Sequence, residues 1–147
     1  MTRPGGMAQY VSVPEKSVFA IGDLPFEQAA FMEPLSCVLH GLERLDPPSA
    51  ARVAILGAGP IGMLLMQAVR LRAAAEVTLV ERNPDRAAFA KTMGADHVLT
   101  DLDGLERDAF DAVIDATGSV AVMARTPISP ATAGRSCSSA CPPLARR

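Results

Sequence analysis

The chain has 147 residues, the size of one ordinary domain, and 49% of them are apolar, enough for one core. A formal net charge of −2 argues against a nucleic-acid partner, which would call for a basic face. No apolar run approaches the roughly 18 residues of a membrane span, and the first residues, with Arg3, Glu15 and Lys16, do not read as a secretory signal.

A cytoplasmic protein is therefore expected. The three cysteines, Cys37, Cys137 and Cys141, do not make a disulfide framework. Cys137 and Cys141 lack the second pair or nearby histidine that would complete a four-ligand metal site.

In chain order, residues 1–24 read as an extended segment, with Met7, Val11 and Val13 among polar residues, bounded by Gly5-Gly6 and Pro14. Residues 25–46 read as two short helices. Pro34 is expected between them, since it biases Glu33 away from helical backbone. The second helix is amphipathic: Leu35, Val38, Leu39 and Leu42 form an apolar stripe, with Ser36, His40 and Glu43 on the other face. Pro47-Pro48 marks a junction.

Residues 51–118 alternate strand and helix, the pattern of a parallel sheet with covering helices. The strands are Val53–Leu56, Val77–Val80, a short His97–Leu99, and Ala112–Ile114, which ends at Asp115-Ala116-Thr117-Gly118. Val53–Leu56 is expected at the centre. One helix opens at Pro60 and runs to about Arg72. The next has Asn83 as N-cap, Pro84 in its first turn and Gly94 as its stop. From Thr126 the character changes: the last 22 residues hold four Pro, four Ser and two Cys, and no acid follows Asp115. That tail reads as an irregular appendage.

The chemistry lies in Gly57-Ala58-Gly59-Pro60-Ile61-Gly62. Glycines in this spacing mark many kinds of turn, but here they follow an apolar strand and open a helix. Gly57 permits the tight turn, Gly59 admits a pyrophosphate close to the backbone, and Gly62 lets helix pack on strand. The phosphates then meet free N–H groups at the positive end of the helix. Glu81, 24 residues after Gly57, ends the second strand, where a carboxylate accepts hydrogen bonds from ribose hydroxyls. The expected ligand is NAD or NADP. Glu81 favours NAD by repelling a 2′-phosphate, whereas Arg82 and Arg86 offer guanidinium groups to one. Enzymes that bind S-adenosylmethionine also use a glycine-rich first turn and an acid after the second strand. Their loops usually lack a glycine at the position of Gly62 and the Thr117-Gly118 turn.

Taken as a set, these segments resemble the zinc-containing medium-chain alcohol dehydrogenases, in particular the sorbitol, polyol and threonine dehydrogenase branch. Gly5-Gly6-Met7-Ala8-Gln9-Tyr10-Val11 is similar to the strand closing the family's catalytic domain, and Glu33-Pro34-Leu35-Ser36-Cys37 to the start of its interdomain helix. Residues 53–62 match its coenzyme loop, and Gly94-Ala95-Asp96-His97-Val98 its turn into the third strand. Asp115-Ala116-Thr117-Gly118 resembles the turn under the nicotinamide half, adding Thr117 and Gly118 to the candidate coenzyme contacts.

The resemblance implies an α/β fold: a partial Rossmann unit over 47–125, a catalytic-domain remnant and interdomain helix over 1–46, and an irregular or frame-altered tail over 126–147. It also implies zinc, an alcohol or polyol substrate and hydride transfer to nicotinamide. Glu33 is the one position that resembles a catalytic-zinc ligand, and its ordinary role is a carboxylate favouring a helix start. The family's other zinc ligands precede the Gly5-Gly6 segment, so this chain alone is expected to hold no catalytic residue and to be inactive. A non-catalytic dinucleotide-binding fragment or assembly partner is the other expectation. The substrate and the choice between monomer and homo-oligomer are left open.

Overall fold

The computed structural model describes residues 6–106 and 108–126, together with the backbone of 137 and 138. The chain divides into two units, Met1–Met32 and Glu33–Arg147.

In the first unit, residues 6–24 do not form the expected strand. A 3-10 turn at Glu15–Ser17 is followed by a one-turn helix α1, Phe26–Ala29. The extended stretch enters no β-ladder among the described residues, and a strand without a partner leaves its backbone groups to water. Met7, Tyr10 and Phe26 are accordingly exposed.

The second unit takes in α2, Met32–Leu45, from Glu33 onward. Pro34 lies inside its first turn rather than between two helices. The reason is positional: first-turn N–H groups have no intrahelical acceptor, so a proline there forfeits no hydrogen bond. Val38, Leu42 and Leu45 form the buried stripe of α2, while Leu35 and Leu39 are exposed. The expected stripe is therefore rotated toward Leu45.

Then come β1, Arg52–Leu56; α3, Pro60–Leu71; β2, Glu76–Val80; α4, Pro84–Thr92; β3, His97–Leu99; β4, Ala112–Asp115; α5, Val120–Arg125; and β5, Cys137–Ser138. The strands form one parallel sheet in the order β3-β2-β1-β4-β5. β1 lies between β2 and β4, in register Val53 with Val77 and with Ala112. The expected central strand is thus observed, and the architecture is a doubly wound α/β sheet. β5 extends the sheet beside β4; the rest of the tail lies outside the described residues.

Alternation along the strands supplies both faces with apolar side chains. Val53, Ile55, Val77, Leu79, Ala112 and Ile114 pack with residues of α2, α3 and α4. Ala54, Leu56, Val80 and Val113 point the other way, toward Leu105 and Val122. The β1–α3–β2 and β2–α4–β3 crossovers therefore lay α3 and α4 on one face, as right-handed connections require. Asn83 caps α4 as expected, its Oδ1 accepting from the N–H groups of Asp85 and Arg86 at 3.0 Å each. No helix among the described residues is long and apolar enough to cross a membrane.

Candidate dinucleotide site

The C-terminal ends of β1, β2 and β4 bring together the glycine loop, Glu81 and the Asp115–Gly118 turn. Two backbone bonds set their spacing: Gly57 N–H donates to the Val80 carbonyl at 2.8 Å, and Ala116 N–H to the Leu56 carbonyl at 2.9 Å.

The three glycines do different things. Gly57 has φ of +97°, a left-handed conformation that disfavours any side chain, and a Cβ there would come within 3.1 Å of Thr117 Cγ2. Gly62 is a packing requirement, because a Cβ on it would stand 1.9 Å from the Gly57 carbonyl oxygen. Gly59 is neither. Its backbone is ordinary extended (φ −73°, ψ −179°), and a Cβ would meet nothing within 4 Å among the described residues. Open space beside Gly59, at the N-terminus of a 12-residue helix with Pro60 in its first turn, fits a pyrophosphate. Ile61 and Gly62 complete that first turn.

Glu81 is buried, with 6% of its surface exposed. Its Oε2 accepts from Ala58 N–H at 3.0 Å; its Oε1 accepts from Asn83 N–H and from the Arg86 guanidinium, both at 2.8 Å. Burial opposes the charge, but the Arg86 guanidinium and the two backbone donors outweigh it, bringing the carboxyl from 4.5 down to about 2. The sequence pointed to Glu81 as a ribose acceptor; three of its roughly four acceptor positions are already taken by the protein. It clasps the glycine loop to the start of α4. Arg86 is tied to this carboxylate, which holds its pKa up. Arg82 is exposed and has no partner among the described residues.

On the β4 side, Thr117 and Gly118 are exposed, and Gly118 has φ of +63°. Asp115, which the sequence marks only as the end of a strand and the start of this turn, has a role of its own. It is buried, and its Oδ1 accepts from Thr117 N–H at 2.8 Å and from Thr117 Oγ1–H at 2.6 Å. The available signal was the Asp-x-Thr spacing, which suits a side chain bonding the backbone two residues on.

Glu33 lies in the first turn of α2, where its Oε1 accepts from Cys37 Sγ at 3.4 Å. Among the described residues no three His, Cys, Asp or Glu side chains converge as a metal site. Glu33 by itself is not a three- or four-ligand zinc site among these residues. Neither histidine is placed at the glycine loop: His40 is exposed on α2, and His97 opens β3 with Nε2 3.3 Å from Glu76 Oε1.

The family model for zinc-binding dehydrogenases matches residues 60–143, more than half of the chain. D-arabinitol dehydrogenase 1 of Uromyces fabae is 33% identical over 84% of this chain and 39% of its own length. A short chain alcohol dehydrogenase of E. coli CFT073, complexed with the cofactor NADH, superposes with a TM-score of 0.68 at 27% identity, over 82% of this chain and 39% of that one. A zinc-binding dehydrogenase of Sinorhizobium meliloti 1021 bound to NADP gives 0.67 at 28% identity, over 80% and 38%. The chain spans about a third of the length of the curated relatives it matches: 39%, 36% and 32% of three of them. With the parallel sheet and its glycine turn, these matches place the chain in the zinc-containing medium-chain alcohol dehydrogenase family.

Proposed function

We propose that this chain is the NAD(P)-binding portion of a zinc-dependent alcohol or polyol dehydrogenase, with residues 47–125 as the coenzyme unit and 1–46 as the end of a catalytic domain. The observation that carries the proposal is the contrast among the glycines: Gly57 and Gly62 are required by the fold, whereas Gly59 faces open space at a helix N-terminus. A fold-only turn has no need of a glycine there. Solved relatives bound to NADH and to NADP support the same ligand class.

Under this reading, the Gly59–Gly62 backbone receives the pyrophosphate, and the free acceptor position of Glu81 takes an adenosine ribose hydroxyl. Arg82 and Arg86 flank that ribose, and Thr117 and Gly118 underlie the nicotinamide half. Bound there, the nicotinamide supplies the hydride acceptor or donor. We assign a preference for NAD, because Glu81 stays ionised and close to the ribose. Arg86 offsets part of its charge, so the preference is one of degree. Glu33 alone does not make a zinc site, since three or four ligands are the rule. Positioning of the reactants, worth on the order of 7–11 kcal/mol of barrier, would have to come from outside the described residues. The chain alone is therefore expected to bind coenzyme without oxidising alcohols.

Titration of the purified chain with NAD and NADP tests this reading, with Gly59→Val as the control. The variant should melt like the wild type, because its Cβ meets no other described residue within 4 Å, and should lose at least about tenfold in NAD affinity because the side chain fills the phosphate space. Equal affinity in both proteins would refute the site. Tighter NADP binding that disappears in Arg82→Ala would reverse the coenzyme preference. NADH formation from ethanol or sorbitol with added zinc, surviving repurification, would show that the chain is catalytically sufficient.

A further inference from the structure

Asp115 stands out among the buried polar groups. Only 7% of its surface is exposed, and its Oδ2 has no hydrogen-bond partner among the described residues. A buried carboxylate with one oxygen unmatched among the described residues is an expensive way to cap a turn, which a serine or asparagine does without the charge. Its value has to lie in what the other oxygen does.

Oδ1 holds both the N–H and the hydroxyl of Thr117, at 2.8 and 2.6 Å, the short distances of charge-assisted bonds. The Thr117 hydroxyl, its proton committed to Asp115, accepts from Ser119 N–H at 3.1 Å. With both functions of the hydroxyl engaged, the rotamer of Thr117 is fixed. Its methyl carbon Cγ2 then lies beside Gly57, where even one added carbon would come within 3.1 Å of it. Asp115 itself sits opposite Leu56, the residue before Gly57.

From this geometry we infer that Asp115 is a positioning residue for coenzyme binding: it locks Thr117 in one rotamer, so that the Asp115–Gly118 turn and the glycine loop form a single fixed wall under the nicotinamide half. The inference rests on the coenzyme reading above. It separates the two halves of the ligand, because the adenosine side is served by Glu81 and the nicotinamide side by the turn that Asp115 holds.

The test compares NAD with AMP, which lacks the nicotinamide half, in the full chain carrying Asp115→Ala or Asp115→Asn. Asp115→Ala should weaken NAD binding about tenfold and AMP binding less than about twofold, as expected for losing a charge-assisted clamp remote from the adenosine. Asp115→Asn keeps one acceptor and should lose only about threefold for NAD. NAD and AMP affinities falling by the same factor, or NAD affinity unchanged in Asp115→Asn with Asp115→Ala unfolded, would overturn the inference. A coenzyme-independent arm measures the Thr117 χ1 couplings by NMR. One rotamer in the wild type and averaging in the alanine variant support the clamp, and an unchanged rotamer refutes it. A wild-type chain that binds neither ligand defeats the coenzyme reading, and the rotamer measurement then decides the role of Asp115 by itself.

Discussion

Replacing Gly62 with alanine is expected to remove the cooperative melting transition of the second unit or to lower its midpoint by roughly 10 °C or more. The added Cβ would lie 1.9 Å from the carbonyl oxygen of Gly57, a backbone atom that cannot rotate away. Relief requires moving the start of α3 outward by more than roughly 1 Å, which strains a close-packed interior. Met63, Leu65, Met66 and Val69, all buried in the core shared with β1, move with that helix. A cost on the order of 3 kcal/mol or more is a large part of a typical total stability of about 5–15 kcal/mol. Circular dichroism of Gly62→Ala beside Gly59→Val makes the comparison internal: the first should melt early and the second normally. A normal melt for Gly62→Ala would mean that α3 does not approach the glycine turn as described.

The second large effect concerns Glu81. Its carboxylate faces three donors: Ala58 N–H, Asn83 N–H and Arg86. In Glu81→Gln one of the two carboxylate oxygens becomes an NH₂ group that must point at a donor, so a buried bond is replaced by a clash of like partners. The folded-state pKa of about 2 against 4.5 for the free side chain corresponds to about 3 kcal/mol of stabilisation. The pKa is depressed on folding, so this contribution is complete above 4.5 and is lost as pH falls through about 2. Denaturant melts should therefore find Glu81→Gln about 3 kcal/mol less stable at neutral pH, with the gap closing between pH 4.5 and 2. Two stability curves that stay parallel down to the acid limit would show that the Glu81 clasp contributes no folding energy.

Much of this architecture is legible in the sequence because the signals agree locally. Apolar runs at Val53–Leu56 and Val77–Val80, proline at the first position of α3 and α4, and Asn83 as a cap each specify one element, and the order of elements specifies a parallel sheet. What escapes such a reading depends on tertiary neighbours. Pro34 reads as a break because proline disfavours helix for the residue before it; only the position of the helix start shows that it falls in the tolerant first turn. Leu35 and Leu39 share the helical period of Val38 and Leu42, and periodicity alone does not say which edge of the stripe meets the sheet. At the site, the glycine spacing identifies the turn but not the division of labour within it, which depends on what each absent Cβ would touch. Glu81 reads as a ligand acceptor because its position is visible, whereas the three donors that occupy it come from backbone and from the next helix. Asp115 looks like the end of a strand until its two bonds to Thr117 are seen.

Binding of a nicotinamide dinucleotide by the glycine loop, as proposed above, should stabilise the folded chain. The most direct measurement is a thermal melt of the purified chain with and without NAD. A ligand that binds only the folded state at about 100 times its dissociation constant adds about 2.7 kcal/mol, which for a unit of this size raises the midpoint by about 10 °C. Such a rise is expected for the wild type and none for Gly59→Val at the same NAD concentration. A cooperative melt whose midpoint is unmoved by saturating NAD or NADP, or one that rises equally in Gly59→Val, would contradict it.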